Sequence, residues 1–329
     1  DLDDFSGVAK IDISAEMTSQ SDSWLLAKKP QVVVYFDSSK TADNTDTLDL
    51  PAVYLSGLIN GMSKDNAVPM KFKFVDRTRT IDGFASVKWQ GDSSVSYPKK
   101  PYRIKTFVDG NLTQKLSFKP KADWQAGNKW NLKAYYTDAL LCRDVVNANI
   151  GADIWSTESG LAPNLLNTNN FGFVDGFPIR LYTNNQFTGI YSFNITKGDS
   201  GDKVKAAVGS VGAGPTQFFS LSDSVKLDGQ TDFEMITPDD STNEIKTSLN
   251  NVIKFIATSS DDDFKANLSK YLDIESTIDY FIFCNLIEDT DAWIKNQTMF
   301  TLDMTKWYFH PYDLDMSLGS GADGSTFDN

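Results

Sequence analysis

Histidine is almost absent from this chain: His310 is the only one in 329 residues, and cysteine is confined to Cys142 and Cys284. A Ser-His-Asp or Cys-His enzyme would have to rest on His310 alone. Two cysteines in separate apolar stretches build neither a zinc site nor a disulfide framework, and are read as small buried hydrophobes. Basic residues are also in deficit. Lys+Arg number 31 against 44 Asp+Glu, a formal charge of −13. That balance argues against backbone-driven nucleic-acid binding and against attraction to anionic membrane surfaces. No apolar run reaches the roughly 18 residues that a membrane-spanning helix needs, and no secretory signal opens the chain. A start at Asp1 without methionine is expected of a processed product or a domain of a longer chain. Chemistry, if there is any, falls to carboxylates, amides and lysines.

What is plentiful is apolar and aromatic matter, 40% and 12% of residues, enough for a sizeable core. β-branched runs and two-residue alternation predict strands over 9–13, 31–36, 70–75, 84–90, 101–107 and 131–135. Between the fourth and fifth of these, residues 91–100 read as a loop. Thr137 or Asp138 then caps a helix reaching Trp155. Residues 171–183 and 187–195 flank Asn184-Asn185-Gln186 as a hairpin. Residues 198–216, rich in Gly, Ser and Ala, read as an interlobe linker. Beyond Phe233 three helices are expected, over 243–258, 261–271 and 274–287, followed by strands at 298–303 and 306–310. Residues 317–329 are polar and expected to fray. Strands first and helices afterwards predict an α+β protein of two lobes. Its divisions would be a polar extension over 1–49, a domain over 50–319 with lobes meeting between about 197 and 217, and a tail over 320–329.

The richest chemistry lies in Leu286–Asn296. Asp291 and Asn296 enclose four residues, and Asp313 and Asp315 follow a predicted hairpin, Asp313 coming 17 residues after Asn296. Protein kinases use this layout: one Asp orients the attacking hydroxyl, while Asn and a later Asp hold Mg²⁺. Hard oxygen ligands of this kind suit Mg²⁺, Mn²⁺ or Ca²⁺. A cation for phosphate should come from a strand in the first half. Alternation over 102–106 puts Arg103 and Lys105 on one face, opposite Ile104. The turn before that strand, with Gly91, Ser93 and Ser94, could cover phosphates with backbone N–H groups. Lys99 and Lys100 read as solvated loop charges. Gly319–Gly324 satisfies G-x-G-x-x-G, but no strand leads into it, so it is set aside. His310 is read as structural.

These residues resemble the CotH kinase family, the spore-coat-protein-H-like atypical kinases. Five blocks appear in the family's order: Val87–Ser94 with Tyr97–Lys105; Trp130–Asp138 with Arg143; the hairpin ending Thr188-Gly189-Ile190-Tyr191; Asp291–Asn296; and Pro311–Gly319. The resemblance implies an atypical protein-kinase-like two-lobed fold, with an antiparallel sheet-rich N-terminal lobe and a helical C-terminal lobe. It also implies ATP and Mg²⁺ as cofactors and phosphotransfer to a protein hydroxyl. By position, Asp291 and Lys105 would be catalytic. Gly91, Ser93, Ser94, Arg103, Lys105 and Arg143 would bind nucleotide, and Asn296, Asp313 and Asp315 would hold the metal. Asn194-Ile195-x-Lys197, where many members have Glu, and residues 135–144 are similar to versions embedded in phage tail or baseplate proteins. Two readings stand beside the kinase: a catalytically silent structural or adhesion module, and glycan binding through exposed aromatics. The expected setting is an extracellular assembly (virion, spore coat or cell surface), with a protein acceptor or an assembly partner.

Overall fold

A computed structural model describes residues 17–20, 23–26, 50–91, 93–158, 169–197, 205–210, 232–293, 295–321 and 325. The chain divides into two compact units, residues 1–49 and 50–329. In the first, β1 (Met17–Gln20) pairs antiparallel with β2 (Ser23–Leu26). The strands expected over 9–13 and 31–36 lie outside the described residues.

The second unit is built around a closed barrel of seven strands, β3 (Ala52–Ser56), β4 (Val68–Val75), β5 (Thr80–Trp89), β6 (Tyr102–Phe107), β7 (Lys129–Lys133), β8 (Gly176–Thr183) and β9 (Gln186–Ile195). They pair in the order β3-β4-β5-β6-β7-β9-β8. Neighbours run antiparallel except at the closure, where β3 lies parallel to β8, Ala52 opposite Arg180 and Leu55 opposite Thr183. The α+β class therefore holds, but the sheet-rich part expected as the first of two lobes is a closed barrel, and residues 50–329 form one compact unit. The closing strand β3 is short and its alternation is poor, which hid it in the sequence.

Alternation decides what fills the barrel. Phe72, Phe74, Val87, Ile104, Trp130, Leu132 and Phe193 point inward, and Phe118 and Trp124 from the β6–β7 connection join them. Their rings meet at short range, Trp130 tilted 5.4 Å from Phe193 and stacked 5.9 Å from Trp124. β7 and the last half of β9 are buried on both faces, apolar inside and polar outside. That buried polar face carries the candidate site.

Four helices accompany a second sheet. They are α1 (Arg143–Trp155), α2 (Asn243–Thr258), α3 (Asp261–Tyr271) and α4 (Ile274–Leu286). The sheet has the order β11-β10-β12-β13, with β10 (Ala206–Ser210), β11 (Phe233–Thr237), β12 (Gln297–Thr301) and β13 (Trp307–Pro311). One face, with Val208, Phe233, Met299 and Trp307, packs on Ile245, Leu249, Val252 and Ile253 of α2. The other, with Ala207 and Phe300, packs against Ala148, Ala152 and Trp155 of α1 and Phe283 of α4.

Several expectations need correction. Residues 206–210, assigned to a linker, form a central strand with all five residues buried. Small side chains let it lie between two helical layers, so Gly, Ser and Ala there mark close packing instead of flexibility. α1 begins at Arg143, later than expected, although Asp138 still serves its start by accepting from the Cys142 and Arg143 amides. Ser317 and Ser320, placed in a frayed end, are buried. Lys99 and Lys100 are half-buried instead of free in solvent: Lys99 donates to the Ala134 and Ile190 carbonyls at 2.6 Å each, and Lys100 to the Val95 carbonyl.

Gly151 allows α1 to approach α4, since a Cβ there would run into the Phe173 ring and come within 3.0 Å of Phe283. A helical Gly→Ala change ordinarily stabilises by about 1 kcal/mol. Here Gly151→Ala should destabilise by about 1–3 kcal/mol through overpacking, and urea unfolding of the two proteins reads the sign directly.

Candidate active site

The outer face of β7 and β9 presents Asn131, Lys133, Ser192 and Asn194, all buried. The Lys133 Nζ donates to Asp313 Oδ1 at 2.6 Å. Asn194 Nδ2 donates to the Tyr135 hydroxyl at 3.0 Å, and that hydroxyl donates to Asp144 of α1. Asp144 also accepts from the Leu314 amide at 2.9 Å. One polar network thus ties the barrel to α1 and to the segment after β13. Gly176 leaves room for it, because a Cβ there would sit 2.5 Å from Asn194 Oδ1.

Charges in this seam are crowded. Burial works against the Lys133 ammonium, but Asp313, Asp144 and Asp315 outweigh it and raise its pKa well above the usual lysine value. Burial likewise opposes charge on Asp313, yet Lys133 and Lys197 hold its carboxyl below the usual range. Asp315 moves the other way, pushed well up by burial and by Asp313. Asp144 is raised by burial, with Lys133 pulling against it. Two ammonium groups lie against the Tyr312 ring, Lys133 at 5.7 Å and Lys197 at 4.9 Å from its centre. Burial brings Lys197 down to about 8, and it forms an ion pair with Glu234.

The second acidic element follows α4. Asp289 is 1% exposed and accepts from the Asp291 and Ala292 amides, while its Oδ2 has no partner. Burial pushes its carboxyl up to about 7. Asp291 accepts from Asn296 Nδ2 at 2.7 Å and pairs with Lys295 at 3.3 Å. Burial raises Asp291, and Asp313 adds to the rise. The backbone is strained here: Tyr135, Asn296 and Asp313 have φ of 43°, 63° and 60°, a region that costs side-chain-bearing residues about 1 kcal/mol or more each.

The fold therefore brings Asp291, Asn296, Asp313 and Asp315 into one neighbourhood. Arg103 borders it, since its charge acts on Lys197 and Tyr312, and its buried Nε has no partner. Lys105 stands elsewhere on the outer barrel face: burial lowers it, followed by the like charges of Lys129, Arg103 and Lys88. Arg143 is buried against Asp138 in an ion pair. Gly91, with φ of 94°, leads into the single turn Ser93–Ser96. That turn is held near the end of β7, where Tyr97 stacks on Tyr136 at 5.2 Å. Sequence reasoning gave no role to Lys133, Lys197 or Asp289. For Lys133 a signal existed, because alternation over 130–133 puts it opposite Trp130 and Leu132, beside Asn131.

This arrangement suits a cation bound through oxygen. Asp144, Glu234, Asp289, Asp291, Asp313 and Asp315 face Arg103, Lys133, Lys197 and Lys295, six acids against four bases. Buried oxygens of Asn131, Asn147, Asn194 and Asp289 have no donor. Among the described residues, however, no three His, Cys, Asp or Glu side chains already converge as a metal site.

A family profile described as CotH kinase protein matches residues 87–329, most of the chain. The chain belongs to the CotH kinase family. It is thus a kinase-like protein of the atypical class, and the matched span contains both acidic elements and Lys133. No curated protein matches this CotH chain. Among the described residues no helix is long and apolar enough to cross a membrane.

Asp289 provides a test of the electrostatics in this CotH protein. Its folded pKa lies above the ordinary carboxylate value, so the folded state keeps a proton between pH 4 and about 7, and stability falls as pH rises through that window. Asp289→Asn preserves the two accepted amide bonds and removes the charge. It should stabilise the protein by about 2 kcal/mol near pH 8, with the gain vanishing near pH 4, as read from denaturant melts across pH.

Proposed function

We propose that this chain is an atypical kinase that transfers the terminal phosphoryl group of ATP to a hydroxyl of a protein acceptor. The observation that carries this reading is the Lys133–Asp313 ion pair with Asp144 behind it, set beside Asp291 and Asn296. Phosphoryl transfer is catalysed chiefly by positioning and by stabilising charge, and this site offers the groups for both.

Asn296, Asp313 and Asp315 would hold Mg²⁺, with Mn²⁺ or Ca²⁺ as chemically equivalent occupants. When bound, Mg²⁺ would offset part of the carboxylate surplus, and ATP would supply the phosphoryl group. Lys133 is the lysine best placed to reach phosphate oxygens, because it already sits on Asp313; Asp144 adds a favourable field to that ammonium. In this reading Lys133 takes the role that the family resemblance carried to Lys105. Arg103, with a free buried Nε, and the turn of Gly91, Ser93 and Ser94 would contact the nucleotide. Arg143, fixed on Asp138, shapes the start of α1. Asp291 orients the acceptor hydroxyl and takes its proton, a role that its raised pKa favours. The Asn296 amide holds the carboxylate in position.

A second reading has its own support. Lys133 and Lys295 are each paired with one of the acids, Asp313 and Asp291, instead of leaving them free, which is the arrangement expected of a scaffold retained for assembly, as in a phage tail, baseplate, spore coat or cell-surface module.

Calorimetry with ATP, with and without Mg²⁺, separates the two. Micromolar, Mg²⁺-dependent binding that is lost in Asp313→Asn is expected of the kinase. Asp291→Asn should keep that binding and lower phosphotransfer by about 10²-fold or more. No binding by the wild type at millimolar ATP would leave the scaffold reading standing.

A further inference from the structure

α4 is apolar on both sides. Its inner side buries Tyr280, Phe283 and Cys284. Its outer side presents Ile274, Ile278, Phe281, Ile282 and Leu286, each between 41 and 61% exposed. Their spacing places them along one face over the length of the helix. Trp293, 37% exposed, extends the patch, its ring 5.4 Å from that of Phe281. A helix that is hydrophobic all round is ordinarily buried, and a contiguous exposed patch of this kind marks an interaction surface.

Along α4 and the turn to Trp293 the charges have one sign. From 271 to 293 there is no Lys or Arg, whereas Asp273, Glu275, Asp279 and Glu288 all occur there. Glu275 and Asp279 lie one turn apart along an edge of the apolar face, and Glu158, just beyond α1, comes near them. Among the described residues Glu158, Glu275 and Asp279 have no ion pair. Burial, with the fields of Glu158, Glu275 and Asp273, pushes the Asp279 carboxyl up to about 6.

We infer that this face of α4 docks a cationic amphipathic segment of a protein partner, with apolar side chains on Ile278, Phe281, Ile282 and Leu286 and Lys or Arg along the Glu158–Glu275–Asp279 edge. The charge pattern selects this occupant. A second copy would bring one acidic edge against another in a chain of net charge −13, and an anionic membrane would be repelled in the same way. An amphipathic helix laid along an apolar face is a common mode of recognition, and the acidic edge would set its orientation.

The test uses the full chain and a fluorescent synthetic Leu/Lys amphipathic helix of about 18 residues, five turns long, with a Leu/Glu counterpart, read by anisotropy. The Leu/Lys peptide should bind and the Leu/Glu peptide should not. Phe281→Ser with Ile282→Ser should weaken binding about tenfold or more, and Glu275→Gln with Asp279→Asn should weaken it and flatten its salt dependence. Asp261→Asn with Asp262→Asn on α3, equal in charge lost, should leave binding unchanged. Circular dichroism checks that each variant is folded. The inference is overturned if the α3 variant loses as much, if both peptides bind alike, or if neither binds. It is overturned equally if sedimentation shows a dimer that Phe281→Ser dissociates, since a second copy would then cover the face.

Discussion

One ammonium group, that of Lys133, is paired with a carboxylate from a distant stretch of chain and lies in the field of a second from the helix just after its own strand. Asp144 comes from the start of α1 and Asp313 from the segment after the second sheet, 180 residues from Lys133. The strand that carries Lys133 has no solvent face: Trp130 and Leu132 lie in the barrel core, and Asn131 and Lys133 lie under the C-terminal elements. A buried charge of this kind is tolerated only with its partners in place, and losing one member of such a pair typically costs about 3–5 kcal/mol. The position of the acidic site relative to the barrel depends on it.

Around that pair the molecule holds more negative charge than its own lysines neutralise, on a backbone bent into the left-handed region at Tyr135, Asn296 and Asp313. Neither feature favours stability. Like charges in a low-dielectric seam repel, and positive φ brings Cβ against the carbonyl. Such a combination is characteristic of places where a ligand completes the structure. The unpartnered oxygens of Asn147 and Asp289 belong to the same pattern. The outer face of α4 is a different kind of incompleteness, apolar instead of electrostatic, and its remedy is a partner surface.

Much of this is legible in the sequence. The helices over 243–258 and 261–271 begin and end where capping and periodicity put them, because Thr242 and Ser260 accept from the first-turn amides of Ile245 and Asp263. Strands with clean alternation, such as β4 and β6, were equally plain. Local pattern failed where burial is two-sided. β10 reads as a flexible linker because a strand between two helical layers needs small residues more than alternation. β3 and β11 were missed for a related reason: each is five residues long, and its place is set by the strand beside it. The acids of the site were visible as Asp291, Asn296, Asp313 and Asp315, since clustered carboxylates and amides are read directly from spacing. Their cation was not. Lys105 and Lys133 both sit on alternating strands facing outward, and nothing local says which outward face the rest of the chain will cover.

By itself the amino-acid sequence determined the family and the side chains on hand, many carboxylates, amides and lysines with one histidine and two cysteines, since both follow from residue identity and order along the chain. Tertiary structure alone decided the closure of the barrel, through a parallel pairing of β3 with β8, and the choice of Lys133 as the charge opposite Asp313. Those depend on contacts between residues more than 100 positions apart, where the free energy lies in the burial and Coulombic attraction of the pair and no single residue carries its signature.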